Sequence, residues 1–235
     1  MRRIDALKVL LFPQVRCLNC DEPRMIEPGE ALCEACRKEL DGLRIPAAAC
    51  PHCLSIREAD RPCAYCAGGG MLHLDHAYSP FRYHGAAQRL IVQLKFGPYE
   101  AAAVPLATAM ALCLSGQAFD ALVPVPLHKT GLRERGINQS MVLCERISPL
   151  VHLPILDALD KQCRVKRQSS LPAAARAENV KGAFALKLPV KGLTILLVDD
   201  VRTSGATARE CAKVLKSAGA EGVSLLTAAV AARRN

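Results

Sequence analysis

At 235 residues, 51% of them hydrophobic but only 4% aromatic and none Trp, the chain can bury one aliphatic core of ordinary domain size plus a small satellite. It carries a formal charge of +9, has no run of 18 apolar residues, and starts Met1-Arg-Arg-Ile-Asp-Ala-Leu-Lys8 without a cleavage signal. Membrane insertion and export are therefore not expected, and the cytoplasm is. In that compartment thiols stay reduced, so the twelve Cys point to metal rather than disulfides.

Residues 1–12 read as a short amphipathic helix, with Leu7, Leu10 and Leu11 on one face and Pro13 ending it. Four CxxC pairs follow: Cys17/Cys20, Cys33/Cys36, Cys50/Cys53 and Cys63/Cys66. Each can place two sulfurs on one tetrahedral ion from a tight turn. The gaps of 12 residues between the first two pairs and 9 between the last two suit small ribbon hairpins. The simplest assignment is sequential, with one zinc on Cys17, Cys20, Cys33 and Cys36 and a second on Cys50, Cys53, Cys63 and Cys66. A cross-braced arrangement satisfies the same spacing. With all-thiolate ligands and no open position, both ions are structural, and a region this poor in large apolar side chains needs them to fold. Thiol exchange and iron-sulfur ligation fit the four pairs less well. Gly68-Gly69-Gly70 reads as a linker, dividing residues 1–70 from 71–235. The His73-Leu-Asp75-His76 turn reads as surface.

Charge follows that division. Residues 1–76 hold 10 Lys and Arg against 11 Asp and Glu, whereas residues 77–235 hold 21 against 11, a net of +10. The basic character belongs to the larger region, which points to phosphates or nucleic acid there. In that region 76–83 alternates like a strand, and Gly85 to Phe96 carries Leu90, Ile91 and Leu94 at helical spacing. Residues 100–115 form an apolar helix disturbed at Pro105, Asp120 to Pro126 a short buried strand, 139–147 a helix, and Val223 to Val230 a last strand. Strand and helix alternate, so the expected fold is an α/β parallel sheet with helices on both faces.

The chain centres on Ile195-Leu-Leu-Val-Asp199-Asp200-Val-Arg-Thr203-Ser204-Gly205-Ala206-Thr207. Four apolar residues make a buried strand, two carboxylates follow, and a small hydroxylated loop runs into a helix that ends at Gly219. Free N–H groups at the helix start, flanked by hydroxyls and by Gly205, make a monophosphate cradle. Adjacent carboxylates repel a phosphate, so Asp199 and Asp200 must face sugar hydroxyls, a hydrated metal, or both. That order suits a ribose 5-phosphate. The element resembles the phosphoribosyl pyrophosphate (PRPP) motif of type I phosphoribosyltransferases, with Ser204 in place of a Thr. A second constellation, His128-Lys129-Thr-Gly-Leu-Arg133-Glu-Arg135-Gly136-Ile-Asn138-Gln139, is expected as a loop on the same face of the sheet, where Lys129, Arg133 and Arg135 could neutralise pyrophosphate. It could equally be a solvated basic loop, with Asn138 or Gln139 starting a helix. Between residues 161 and 181 stand six Lys and Arg against one acid, a pattern that fits a lid over polyphosphate or a nucleic-acid track.

Further motifs occur in order with these: Tyr83-His-Gly85 with Leu94-Lys95-Phe96, Val123-Pro-Val-Pro126, Arg135-Gly136-Ile-Asn138-Gln139-Ser140, Gln168-x-x-Leu171 and Arg176-x-x-Asn179-Val-x-Gly-Ala-Phe184. Together with the cysteine pairs, the chain resembles the ComF/GntX family over nearly its whole length. The departures are Ser204 and Lys166-Arg167 ahead of Gln168. The resemblance implies a type I phosphoribosyltransferase-like domain behind a double zinc ribbon, and a role in taking up single-stranded DNA in natural transformation beside a helicase-like partner. It implies PRPP or a related ribose phosphate bound with Mg²⁺. Asp199 and Asp200 would hold the ribose diol and stabilise charge at the anomeric carbon, Thr203, Ser204, Gly205, Ala206 and Thr207 the 5-phosphate, and Lys129 with Arg133 or Arg135 the pyrophosphate. The alternative is an active phosphoribosyltransferase transferring ribose 5-phosphate to an acceptor in nucleotide metabolism or salvage. No base-reading pocket is visible in the sequence, and with no Trp, four Tyr and five Phe, binding of single strands by stacking is weakly supported.

Overall fold

The computed structural model describes residues 15–24, 26, 30–56, 61–97, 99–162 and 180–232. The helix expected over 1–12 and the greater part of the basic stretch 161–182 lie outside the described residues. In the cysteine-rich region β1 (Val15–Arg16) and β2 (Pro23–Arg24) pair antiparallel around the first CxxC turn. Helix α1 (Glu34–Asp41) starts directly after Cys33 and buries Cys36 and Leu40. The single turn α2 (Ala64–Ala67) spans the last pair.

The larger region begins with two short strands, β3 (Ala77–Tyr78) and β4 (Phe81–Arg82), then α3 (Gly85–Phe96), α4 (Tyr99–Leu112) and β5 (Ala121–Pro124). Next come α5 (Lys129–Arg135), α6 (Gln139–Val151) and an antiparallel pair, β6 (Leu159–Lys161) with β7 (Phe184–Leu186). Strand β8 (Thr194–Arg202), helix α7 (Ala206–Ser217) and strand β9 (Gly222–Val230) complete it. The main sheet is parallel throughout, in the order β5-β8-β9, with β3 and β4 both on the outer edge of β9. Alternation along the strands sends side chains to two cores. Leu196, Val198, Leu226 and Ala228 pack with Leu90, Ile91, Leu94, Leu106, Met110, Leu143 and Ile147 of α3, α4 and α6. Ile195, Leu197, Val223 and Leu225 pack with Cys211, Ala212 and Leu215 of α7. The sheet is thus covered by helices on both faces, as the alternation of elements predicts.

Three local expectations change. The 76–83 strand is interrupted at Ser79–Pro80, where Pro80 has no N–H to give the ladder and its carbonyl instead accepts from Ile45 N. The stretch expected as a loop around 129–135 is helical. The His128 ring accepts the Thr130 N–H at 3.2 Å to start α5, and Gly136, at φ 77°, ends it with its N–H on the Leu132 carbonyl. Finally, β8 does not stop at the carboxylates. Its register with β9 continues through Asp199 opposite Thr227 to Arg202 opposite Val230, so the partner strand extends a segment that its own charges would end.

Leu196 lies on the central strand with 0% of its surface exposed. Leu196→Ala is expected to cost about 2–5 kcal/mol in urea unfolding, from lost burial plus the cavity left behind.

Candidate functional site

The site forms where the C-terminal ends of α3 and β8 meet the N-terminus of α6. Leu94 buries the last turn of α3, and the next residue, Lys95, extends its ammonium to within 2.6 Å of Asp200 Oδ2. Both side chains are largely shielded, 21% and 14% exposed, so the pair lies in a medium where it is screened little. Asp199 accepts from the Asp200 N–H at 2.8 Å and from Ser140 Oγ at 3.3 Å. Ser140 is presented by the first turn of α6, whose Asn138 cap accepts the Ser140 N–H at 3.1 Å and anchors its own amide on the Val125 carbonyl. The capping chemistry that starts α6 therefore also aims Ser140 at the carboxylate.

Burial pushes the Asp199 carboxyl up to about 7, and the neighbouring Asp200 charge adds to that; the Asp200 N–H, Lys95 and Ser140 pull the other way. At neutral pH Asp199 therefore keeps its proton part of the time. Lys161, at the end of β6, adds a further amine, 5.3 Å above the Phe184 ring. Burial lowers its pKa from the ordinary value, against the opposing charges of Cys211 and Asp199. In the sequence Lys95 and Ser140 stand only as members of the motifs Leu94-Lys95-Phe96 and Arg135-Gly136-Ile-Asn138-Gln139-Ser140, and Lys161 as the first residue of the basic stretch; none points by itself to the carboxylates.

Beyond the carboxylates, Thr203 is exposed, Ser204 and Thr207 are half-buried, and Gly205 and Ala206 are buried at the start of α7. Gly205 takes the left-handed conformation, φ 69°, and a β-carbon there would stand 2.1 Å from the Tyr65 hydroxyl. Tyr65 sits between Cys63 and Cys66, donates to the Ser204 carbonyl at 3.3 Å, and stacks on the Arg202 guanidinium at 4.4 Å. Arg202, itself 3% exposed, donates to the Cys53 carbonyl and to Ser55 Oγ. Arg209 donates to the Ser204 carbonyl at 2.8 Å and to the Gly70 carbonyl at 3.4 Å.

The basic residues expected opposite the loop divide. Strands β5 and β8 are direct neighbours, so the segment after β5 does emerge beside the carboxylates. Arg135 donates to Gln139 Oε1 at 3.0 Å and lies 5.7 Å over the Phe96 ring, next to Lys95. Lys129 and Arg133 are exposed on α5, and among the described residues neither joins the network around Asp199 and Asp200.

The cysteines gather as two sequential sets, Cys17, Cys20, Cys33 and Cys36, and Cys50, Cys53, Cys63 and Cys66, with all sulfurs of a set within 4.8 Å. A tetrahedral ion with Zn–S near 2.3 Å requires S–S edges of about 3.8 Å. Cys50–Cys66 at 3.8 Å and Cys53–Cys63 at 3.4 Å fit. Burial raises the Cys17 thiol, but the Cys33, Cys20 and Asn19 N–H groups outweigh it and hold it at about 6. At Cys63 burial is likewise outweighed, by the Cys66 N–H, the Cys53 thiol and the Tyr65 N–H, leaving it at about 7. Both sets are compatible with zinc. Among the described residues no helix is long and apolar enough to cross a membrane.

The chain is 34% identical over 217 residues to the DNA utilization protein YhgH of Salmonella typhimurium, spanning 87% of this chain and 92% of that protein. It is 27% identical over 222 residues to competence protein ComFC of Bacillus subtilis, spanning 86% and 89%. The match to YhgH of Escherichia coli K12, 39% identical over 105 residues, spans 44% of this chain and 46% of that protein, less than half the length of either. No protein-family model matches. Among solved structures, the glutamine PRPP amidotransferase of B. subtilis overlaps 57% of this chain and 30% of its own at 19% identity, with a TM-score of 0.40.

Folding raises the Asp199 pKa from an ordinary 3.8 to about 7, so above pH 7 the native state carries a buried charge that costs stability, and below pH 4 it does not. Asp199→Asn should therefore gain stability over the parent in urea unfolding as pH rises from 5 to 8, by roughly 1–4 kcal/mol at the upper end. Metal analysis should find two zinc ions per chain, and Cys36→Ser should lose one while keeping the ion bound by Cys50, Cys53, Cys63 and Cys66; a cross-braced pairing would disturb a different set of ligands.

Proposed function

Because the chain belongs to the ComF family, that of competence protein ComFC and the DNA utilization protein YhgH, we propose that it binds PRPP or a related ribose phosphate and serves the uptake or use of single-stranded DNA in the cytoplasm. The observation that carries the reading is the run of groups along β8 and its exit. Two carboxylates, one paired with Lys95, are followed within seven residues by the hydroxyls of Thr203, Ser204 and Thr207 and the start of α7. In this reading residues 1–70 are a metal-stabilised module with two structural zinc ions, and residues 71–235 hold the ligand.

Asp199 and Asp200 accept hydrogen bonds from the ribose diol, and Mg²⁺ arrives with the pyrophosphate group. The 5-phosphate takes the N–H groups of Gly205, Ala206 and Thr207 with the hydroxyls of Thr203, Ser204 and Thr207, where the N-terminal end of α7 favours negative charge. Arg135, with Lys129 and Arg133 further along α5, receives the pyrophosphate. The raised pKa of Asp199 favours a second reading. A carboxyl near 7 beside the ribose could accept the proton of an incoming nucleophile as pyrophosphate leaves, which makes transfer to an acceptor chemically accessible. Pyrophosphate release with candidate acceptors separates transfer from binding alone.

Titration calorimetry with PRPP and Mg²⁺ tests the ligand. Affinity should rise from pH 6 to pH 8 as Asp199 loses its proton, because the diol and the cation both prefer the carboxylate. Changing Asp199 and Asp200 together to Asn should weaken binding roughly 100-fold, the loss of two charge-assisted contacts. Unchanged affinity in that double variant would remove PRPP from these carboxylates.

A further inference from the structure

We infer that the second cysteine cluster sets the orientation of the Ser204–Gly205 peptide through Tyr65, making Tyr65 a positioning residue for the anion cradle and linking metal in that cluster to anion affinity. The inference rests on the reading of residues 203–207 as a phosphate site. A trans peptide is planar, with its C=O and N–H pointing in opposite directions. The Ser204 carbonyl is held by two donors, Tyr65 Oη at 3.3 Å and Arg209 Nη1 at 2.8 Å. The Gly205 N–H must therefore face away from Tyr65, to the side left for a ligand. With no β-carbon at Gly205, this is the one peptide in the loop that could turn over at low cost, since glycine populates both signs of φ. The two donors to Ser204 remove that freedom.

Tyr65 in turn has little freedom of its own. It lies inside the Cys63-Ala-Tyr-Cys66 knuckle, and a β-carbon on Gly70 would come within 2.3 Å of its ring. Its ring is stacked on Arg202, whose guanidinium donates to the carbonyl of Cys53, a member of the same cluster. Arg209 bridges Ser204 to Gly70. Metal bound by Cys50, Cys53, Cys63 and Cys66 fixes the knuckle and the Cys53 carbonyl together, and through them the amide that faces the ligand. Coupling of this kind is reciprocal: whatever metal adds to anion affinity, the anion adds to metal retention.

Tyr65→Phe keeps the ring on Arg202 and removes only the hydroxyl. The variant should keep two zinc ions per chain and the parent melting temperature. Its Kd for ribose 5-phosphate should weaken about 3- to 10-fold, the size of one neutral hydrogen bond. Zinc transfer to a chromogenic chelator gives a reading that needs no ligand: the second cluster should release its ion faster in Tyr65→Phe than in the parent, with release from the first cluster unchanged. Ribose 5-phosphate should slow that release in the parent and do so less in the variant. Equal Kd values with equal release rates overturn the inference. A parent protein that binds no ribose 5-phosphate overturns the proposed ligand and the anion half of the linkage, while ligand-free release rates still decide whether Tyr65 ties the cluster to the loop.

Discussion

Strand β8 is hydrogen-bonded on both edges, to β5 and β9, and buried on both faces up to Val198, yet it carries two adjacent carboxylates before its pairing ends. Everything around the candidate site answers the desolvation this imposes. The Asp200 N–H and Ser140 supply hydrogen bonds to Asp199, Lys95 supplies the opposite charge to Asp200, and the remaining cost appears as the raised Asp199 carboxyl. A shielded ion pair of this sort contributes little net stability, because the Coulomb gain is offset by lost hydration. Its effect lies in geometry. Removing Lys95 would leave Asp200 uncompensated in a poorly solvated place, so the end of α3 and the end of β8 are held to one arrangement.

Each of those two elements also contacts the cysteine-rich region. Glu39 of α1 accepts the Ala86 N–H at 2.9 Å and pairs with Arg89 at 2.5 Å, so the first module caps the α3 N-terminus. Gln93, two residues before Lys95, donates to the Leu18 carbonyl in the first CxxC turn. The second module takes the β8 exit through Arg202. A guanidinium suits that position because it is more weakly hydrated than an ammonium, stacks on a ring and donates in a plane. Its Nε has no partner among the described residues, which leaves a cost of about 1–3 kcal/mol in the native state. The cysteine-rich region, with few large apolar residues, thereby does more than gather its own thiols. It makes direct hydrogen bonds to both elements that present the carboxylates.

Much of this was legible because it is local. The apolar run before Asp199, the Gly205 turn and the CxxC spacing each encode their geometry within a few residues, and alternation of elements gave the parallel sheet. What could not be read locally is where another segment intervenes. Charged Asp199 and Asp200 look like the end of a strand, and only the length of β9 carries the pairing on to Arg202. Following directly on the strand that ends at Pro126, 127–136 reads as a loop, whereas the His128 cap and Gly136 close a short helix there. Tyr65 and Ser204 are 139 residues apart, and no periodicity in either segment announces that one hydroxyl will meet the other carbonyl.

The charge arithmetic of the site also bears on which ligand it can accept. With both carboxylates fully ionised and unpaired, a phosphate approaching the loop only a few residues away would meet repulsion that the α7 N-terminus, worth about half an elementary charge, could not cancel. Asp200 is matched by Lys95, and Asp199 keeps its proton part of the time near pH 7, so the resting site is close to neutral on the carboxylate side. In the proposed reading an anion then enters first at the loop. A diol or a cation following it would draw Asp199 into its ionised form only once a partner for that charge has arrived, so the carboxylates and the anion site proposed at residues 203–207 need not oppose one another.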